Sequence, residues 1–217
     1  MYMKSSGSRA KRAAPTEGSG RKSQETRDRI VQAALEVFAT HGFEGGSTRQ
    51  IAALAGENQG LITYHFSTKE NLWKAAVDSI FLEFRREIEE REAVLADADT
   101  RTHLRLLLIY LVRYAARRPE QLRLMVQESK TDSGRMKWLV DRHIGPMFSK
   151  MSPLLRAGIE EGILPEAPIA HYVYIFVGAA SLLFASGPEY RYLTGNDPLD
   201  PAIVEAHAEA VVNLVLR

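Results

Sequence analysis

The chain contains no cysteine among its 217 residues. This absence excludes disulfides, cysteine-ligated zinc, iron–sulfur clusters and a thiol nucleophile, and it suits a reducing cytoplasm. Aromatic residues are also few, at 8%, while hydrophobic residues make up 45% and charged residues 25% of the chain. These are ordinary globular values. They exclude a wholly disordered chain and predict one domain or two small ones.

Long apolar runs are equally scarce. The longest, Ile169–Ala185, is 17 residues long and includes His171, Gly178 and Ser181. It is too short and too polar for a membrane-spanning helix, and a buried interface helix is the better interpretation. The basic N-terminus has no apolar segment behind it and so does not resemble a secretory signal. We therefore expect a cytoplasmic protein that has no membrane partner.

The net charge is only +1, but it is unevenly distributed. Residues 1–24 carry six basic side chains and one acidic side chain, giving +5, whereas residues 25–75 sum to −1 and residues 76–217 to −3. The first segment is rich in Ser, Gly and Ala, which predicts a disordered basic arm. Such an arm either gains affinity from DNA phosphates or is a solvated tail, and the charge pattern leaves both open.

Helical periodicity begins at Glu25. One apolar stripe on a first helix is formed by Ile30, Ala33, Ala34, Val37 and Phe38. His41-Gly42 is expected to end this helix, because glycine tolerates the positive φ that follows many helix C-termini.

Two capping boxes are expected further along the chain. Ser47 and Gln50 predict the start of a short second helix that stops at Gly56, and Ser67 and Glu70 predict the start of a long fourth helix. Five later helices are expected. One spans residues 104–117, the next begins at Pro119, and a third ends at Glu161. A fourth spans residues 169–185 and is closed by Gly187-Pro188, and the last begins at Pro201. No segment alternates convincingly with a period of two. We therefore predict an all-α protein of about nine helices.

Segments 51–56 and 57–66 form a helix-turn-helix pattern, in which Gly56 lets the chain reverse at low steric cost. The second helix of such a pattern lies in the major groove with its N-terminal residues against base edges. Gln59 can offer a bidentate amide to adenine, and Arg49 can reach guanine. Four further side chains suit phosphate contacts: Thr48, Tyr64, His65 and Lys69.

The order of motifs is more specific than the pattern alone. The segments FATHGF at 38–43, STRQIA at 47–52, AG at 55–56, YHF at 64–66 and KENL at 69–72 resemble the TetR/AcrR family of bacterial transcriptional regulators. The resemblance is strong over about residues 24–76 and weak beyond. It implies an all-helical homodimer with a three-helix DNA-binding domain at residues 25–75. It also implies a ligand-responsive, dimerising domain at residues 76–217 that binds a small-molecule effector.

The resemblance also identifies the DNA-recognition positions, which match Thr48, Arg49, Gln59, Gly60, Thr63, Tyr64, His65 and Lys69. Three residues depart from the family pattern. Glu57 replaces a small apolar residue and adds a negative charge near the DNA-facing turn. Thr63 stands where many members carry tyrosine, with Tyr64 one residue later, and Gly60 gives the recognition helix a weak first turn.

In the family the effector pocket lies between the long fourth helix and the helices after it. The resemblance therefore points to five large side chains as pocket residues: Phe84, Tyr110, Tyr114, Trp138 and Phe148. For each of them taken singly, ordinary core packing is the more common role of a large side chain at helical spacing. The inner face expected for this half shows no excess of either charge that would indicate a strongly charged ligand.

The segment Ile169–Ala185 and the last helix are expected to form the dimer interface. Gly178, Ala179, Ala180 and Ser181 are small enough for two helices to approach closely, and a two-fold interface uses the same patch twice. A dimer would also hold two recognition helices about 34–36 Å apart, as consecutive major-groove faces require.

An enzyme is the main alternative from another class, but the sequence lacks its signatures. It has no H-E-x-x-H pair, phosphate-binding loop, nucleophile elbow or dinucleotide fingerprint, so we expect no catalytic residue, metal or cofactor. A ligand-binding module that does not bind DNA remains open. We predict a cytoplasmic, dimeric repressor that leaves a palindromic double-stranded DNA operator when a small apolar or aromatic compound binds.

Overall fold

The structure, a computed structural model, describes residues 17–95 and 97–217. Every regular element within these residues is helical, which confirms the predicted all-α fold. The α-helices in chain order are α1 (Glu17–Gly45), α2 (Thr48–Ala55), α3 (Gln59–Phe66), α4 (Lys69–Val94), α5 (Thr100–Arg117), α6 (Pro119–Ser129), α7 (Gly134–Leu139), α8 (Gly145–Glu160), α9 (Ile169–Ala185), α10 (Gly187–Thr194) and α11 (Pro201–Val215). A π-helical segment, Val140–Ile144, joins α7 directly to α8.

The described residues therefore contain more helical segments than the nine or so that periodicity predicts, for two reasons. The π-helical segment divides one predicted helix into α7 and α8. Gly187-Pro188 closes α9 as predicted, but it also opens α10, because a proline in the first turn of a helix gives up no backbone hydrogen bond.

The first helix begins at Glu17 rather than at Glu25. Residues 17–24 of the predicted disordered arm are therefore helical, and residues 1–16 lie outside the described residues. The Arg21 guanidinium donates to the Glu25 carboxylate at 3.0 Å, an i, i+4 pair that supports the added turns. Extending an existing helix also avoids the cost of nucleating a new one.

Near its end, α1 is interrupted where the sequence predicts. Gly42 has φ 69° and ψ 177°, outside the helical region, and one further turn follows to Gly45. The predicted capping box at α2 is confirmed: the Ser47 hydroxyl accepts from the Gln50 N–H at 3.2 Å, and the Gln50 side chain accepts from the Ser47 N–H at 2.9 Å. Gly56 ends α2 at φ 67°, the left-handed conformation that glycine adopts readily.

The second capping box is wrong by one residue. Ser67 does not cap α4 but ends α3 in a conformation with φ 63°. Thr68 is the N-cap, and its hydroxyl accepts from the Asn71 N–H at 3.1 Å. Glu70 instead pairs with Lys74 at 2.7 Å. Serine and threonine can both cap a helix, so the sequence alone leaves two possible starts for α4. The turn that ends α3 places Thr68, and not Ser67, at the N-cap position.

Two apolar cores meet inside α4. The N-terminal core joins α1, α2, α3 and the first half of α4, as far as Phe81, and it also receives Leu124 from α6 and Leu139 from α7. The C-terminal core begins at Phe84 and joins α4 to α5, α8, α9 and α11. The predicted domain boundary after residue 75 thus falls within one continuous helix, through which the two cores are covalently linked.

Within the described residues, no single helix is long and apolar enough to cross a membrane. The pair α9 and α10 reaches that length and composition only together, and the two helices are bent by 68° at their junction.

Candidate nucleic-acid interface and internal cavity

Helix α3 has one buried side and one exposed polar side. Ile62 and Phe66 are 3% and 5% exposed and anchor the helix on the N-terminal core. Tyr64 is 76% exposed, and Gln59 and Thr63 are also exposed. A short helix that is held rigidly by apolar anchors and presents polar side chains outward has the form of a helix that enters the DNA major groove.

The start of α3 is capped by the residue that precedes the helix. The Asn58 side chain accepts from the Gly60 N–H at 2.7 Å, so the weak first turn expected from Gly60 is supported by its cap. The Gln59 side chain donates to the Thr48 hydroxyl at 3.1 Å. The structure thus brings together one predicted contact residue from α2 and one from α3, while Arg49 is exposed beside Thr48.

The last two predicted DNA contacts are half-buried. The His65 ring lies 5.0 Å from the ring of Tyr64, in an edge-on arrangement. The Lys69 ammonium lies 4.6 Å from the centre of the Phe43 ring and donates to the Glu44 carbonyl at 3.4 Å. Because Lys69 is the first residue of α4, a phosphate at this helix start would meet both the ammonium and free backbone N–H groups.

The negative charge of Glu57 is not directed freely at the DNA side. Its carboxylate is 14% exposed and forms an ion pair with Arg29 of α1, and the Thr26 hydroxyl lies 3.4 Å from the same oxygen. The ion pair compensates the charge and ties the helix-turn-helix to α1. This departure from the family pattern is therefore compatible with DNA binding.

Phe43 connects the DNA-binding segment to α7. The Arg135 guanidinium lies 3.7 Å from the centre of the Phe43 ring, on which Lys69 also packs. Arg135 is held by Glu128 at 3.1 Å, a residue only 5% exposed, and approaches Glu44 at 3.6 Å. The sequence carries no signal for Arg135, since its partners come from α6 and from the end of α1.

A cavity of about 700 Å³ lies between α4, α5 and α8. Two of the five predicted pocket residues, Phe84 and Tyr110, line it, and their rings stack with centres 5.8 Å apart. Tyr114 packs edge-on against Phe84 at 4.8 Å, behind the cavity wall, and its hydroxyl donates to the Ile80 carbonyl at 3.1 Å. A cavity of this volume and apolar lining is suited to a small organic ligand.

Tyr110 has an unsatisfied polar group at this cavity. Its hydroxyl is buried and has no hydrogen-bond partner among the described residues. Burial and the neighbouring Glu87 carboxylate raise the pKa of Tyr110 above its usual range, so the hydroxyl stays protonated and is able to donate a hydrogen bond to a bound ligand.

The structure does not bring Trp138 and Phe148 into this cavity. Neither residue lines it, although Met147 beside Phe148 does. Trp138 instead packs against Trp73 of the N-terminal core, with ring centres 5.8 Å apart. Helical spacing makes an aromatic residue a pocket candidate, but only the packing of α7 on α4 decides which way it faces.

Sequence reasoning missed the charged lining of the cavity. Five basic side chains, Arg85, Arg91, Arg113, Arg117 and Lys150, line it together with the acidic Glu90 and Glu92. The spacing of residues along α5 could have indicated two of them. Tyr110, Arg113 and Arg117 stand at i, i+3 and i+7 and therefore share one face of the helix. The expectation that the inner face carries no charge excess is therefore wrong, because basic side chains outnumber acidic ones in the lining.

His143 lies in the π-helical segment and is fully buried. Its ring stacks on Phe81 at 4.7 Å and meets Trp138 edge-on at 5.5 Å. The Arg85 guanidinium approaches Nδ1 at 3.3 Å, and the Asp78 carboxylate lies 2.9 Å from Nε2. Because a guanidinium only donates, Nδ1 accepts and the neutral ring donates from Nε2 to Asp78.

We expect this histidine to make the fold sensitive to mild acid. Burial lowers the pKa of His143, and Arg142 and Arg85 lower it further against the opposing effect of Asp78. Between its folded pKa and about 6.5 the unfolded chain binds the extra proton, so stability falls with decreasing pH by up to about 1.4 kcal/mol per pH unit. Urea unfolding between pH 5 and 8 measures this, and His143→Gln should have a flatter profile than the wild type. Identical profiles would contradict the assignment.

Comparison with known proteins agrees with this geometry. Residues 30–76 match the family model for bacterial regulatory proteins of the tetR family. The HTH-type transcriptional repressor NicS of Pseudomonas putida is 28% identical over 186 residues, which cover 85% of this chain and 86% of NicS. The HTH-type transcriptional dual regulator CecR of Shigella flexneri is 38% identical over 79 residues, which cover 35% of each chain.

The fold is also similar to that of solved regulators. The crystal structure of HlyIIR, a hemolysin II transcriptional regulator, is 21% identical in sequence and superposes with a TM-score of 0.63, covering 90% of this chain and 99% of HlyIIR. Residues 30–76, which match the family model, contain α2, α3 and the first part of α4, where the predicted contact residues are located. The relatives reported above, NicS, CecR and HlyIIR, are transcriptional regulators and not enzymes, as predicted for this chain. Residues 30–76 therefore carry the DNA-binding signature of the tetR family of bacterial regulatory proteins, and the match that extends over most of the chain is to a transcriptional repressor.

Proposed function

We propose that this protein is a cytoplasmic homodimeric repressor that binds a palindromic DNA operator and leaves it when a small, largely apolar compound occupies the cavity. The observation that carries the DNA-binding role is the exposed polar side of α3 above its buried anchors Ile62 and Phe66. Direct readout falls on Arg49 and Gln59, and phosphate contacts fall on Thr48, Tyr64, His65 and Lys69.

The cavity supports the effector role. It lies between α4, α5 and α8, and α4 continues without interruption into the N-terminal core. A ligand that binds one arrangement of these helices more tightly than another shifts the spacing of the two recognition helices. The change in operator affinity is limited by that difference in ligand affinity.

The operator experiment uses fluorescence anisotropy with the DNA upstream of the protein's own gene and a scrambled duplex of equal composition. We expect sequence-selective binding that falls steeply between 50 and 200 mM salt, because phosphate contacts release counterions. A symmetric footprint is expected if two copies bind two half-sites. Equal binding to both duplexes, or none, would favour a ligand-binding module that does not act on DNA.

The dimer is proposed through α9. Ile175 and Leu182 are spaced by seven residues and share a face with Gly178, and Leu182 is 61% exposed. Helix α9 carries no Asp, Glu, Lys or Arg in its 17 residues. An exposed face that is apolar, uncharged and interrupted by a glycine suits close packing against a second copy of the same helix.

Leu182→Glu is expected to convert the dimer into monomers, because the two-fold axis would bring two buried carboxylates into one interface. Light scattering after size-exclusion chromatography measures the mass directly. Val126→Glu on α6 is the matched control, since Val126 is also an exposed apolar residue but lies outside the proposed interface. A dimer that persists in Leu182→Glu, or one lost equally in both variants, would contradict the α9 interface.

A further inference from the structure

We infer that the cavity takes an organic anion, with an apolar body against Phe84 and Tyr110 and an anionic oxygen group bound by Arg85. This inference rests on the proposed effector role of the cavity and names the chemical class of its ligand. It follows from the pairing of the basic side chains around the cavity, and from the hydrogen-bond contact that Arg85 makes with His143 among the described residues.

Four of the five basic residues already have carboxylate partners. Arg117 lies 2.7 Å from Glu87, which also approaches Arg91 at 3.5 Å. Arg113 donates to Glu205 at 2.8 Å, and Lys150 lies 2.6 Å from Glu92. Glu87 is shared by two arginines, so these carboxylates offset most of the positive charge of the four residues and leave less attraction for a ligand than an unpaired cation would.

Arg85 differs from these four residues. Within the described part of the chain its guanidinium has no carboxylate within 4.0 Å, and its hydrogen-bond contact is the neutral His143 ring at 3.3 Å. A half-buried cation whose only such partner is neutral has several N–H groups left to donate. An oxyanion in the cavity would accept from these groups and compensate the charge, forming a charge-assisted hydrogen bond in a partly desolvated site.

The apolar side chains that line the cavity determine the size and polarity of the rest of the ligand. Leu107, Met151 and Leu154 add aliphatic and thioether surface to the Phe84 and Tyr110 rings. A small inorganic anion would leave this surface unfilled, and a neutral hydrocarbon would leave Arg85 uncompensated. The combination is matched by an anion with a sizeable apolar part.

Engagement of Arg85 has a consequence for His143. A guanidinium drawn towards a ligand oxyanion weakens its contact with Nδ1 of His143, whose ring packs against Trp138, and Trp138 in turn packs against Trp73 of the N-terminal core. This chain of contacts gives the anionic group of the ligand a physical route to the DNA-binding helices.

The test compares two fluorescent probes with the same aromatic framework. 1-Anilinonaphthalene-8-sulfonate carries an anionic sulfonate, and N-phenyl-1-naphthylamine is its neutral counterpart. We expect the wild type to bind the sulfonate more tightly. We expect Arg85→Met to lose roughly tenfold or more of the sulfonate affinity, with little change for the neutral probe.

Three controls make the result specific to Arg85. Arg117→Gln removes a cavity cation that Glu87 already compensates, so it should change sulfonate affinity by less than about threefold. Met151→Trp narrows the cavity and should reduce binding of both probes, which separates cavity binding from adsorption on exposed apolar surface. Arg85→Lys keeps the charge and should recover part of the affinity, which excludes a folding defect as the cause.

The outcomes separate this inference from the proposed function. Arg85-dependent binding of the sulfonate supports the anion site even if no cavity ligand alters operator affinity, in which case only the effector role fails. Sulfonate affinity that is unchanged in Arg85→Met, or no greater than that of the neutral probe in the wild type, overturns the anion site. Operator release by the sulfonate that persists unchanged in Arg85→Met likewise overturns it, while the regulator role stands.

Discussion

Replacing Arg49 and Tyr64 together by alanine is expected to weaken operator binding by about a thousandfold, because a base or phosphate contact is worth about 1–3 kcal/mol and every tenfold in affinity is about 1.4 kcal/mol. Each half-site of a palindromic operator would lose the same two contacts. At the lower end of that range the two contacts together are worth about 2 kcal/mol per half-site, which gives about 4 kcal/mol for the dimer.

The fold should not change, because neither side chain supports it. Tyr64 is 76% exposed, Arg49 is exposed, and neither forms a hydrogen bond or an ion pair within the described residues. Truncating such residues changes stability by about 0.5 kcal/mol or less. The double variant should therefore melt close to the wild type and still bind the fluorescent probes in its cavity.

Anisotropy with the operator duplex measures the loss, and Arg101→Ala/Tyr192→Ala is the matched control. It removes the same two residue types from exposed positions in the C-terminal half, where Tyr192 is 93% exposed. If the two double variants bind the operator equally well, the assignment of α2 and α3 as the reading surface is wrong.

The helix-turn-helix could be predicted because its determinants are local. Ser47, Gln50 and Gly56 act within a few residues of their own position, and the structure places all three in the predicted roles. Ser67 and Thr68 mark the limit of this reasoning. Both can cap α4, and the choice depends on how the preceding helix α3 ends, which is a property of the assembled turn.

The cavity could be predicted only in part, because its walls come from separate helices. Phe84 and Tyr110 do meet, but Trp138 packs against Trp73 of the N-terminal core, nearer the start of α4. The charge of the lining could be predicted in part from the spacing of Tyr110, Arg113 and Arg117 on α5, but the basic residues that α4 and α8 add to the lining depend on how the helices pack. The net charge of the second half sums every helix face, whereas the cavity exposes one face of each helix, on which basic residues predominate.

Trp73→Ala is expected to have the largest effect on stability. Trp73 is 1% exposed in the N-terminal core, with its ring edge-on to Phe43 at 6.4 Å and 5.8 Å from Trp138. Removing a buried tryptophan costs about 3–5 kcal/mol, since the transfer free energy is lost and a cavity remains. For a chain of this size the melting temperature should fall by about 6–20 °C.

Trp138→Ala is the matched control, because it removes the same side chain from the other half of the Trp73–Trp138 contact. Trp138 is half-buried and part of its ring faces solvent, so its truncation should cost clearly less than that of Trp73. Urea unfolding of the two variants measures the difference. If Trp138→Ala is as destabilising as Trp73→Ala, α7 is an integral part of the N-terminal core.

If Trp138→Ala instead leaves stability nearly unchanged but operator release no longer responds to the cavity ligand, the Trp73–Trp138 contact transmits the ligand signal. The two tryptophans thus separate the residue that holds the DNA-binding helices together from the residue that connects them to the cavity.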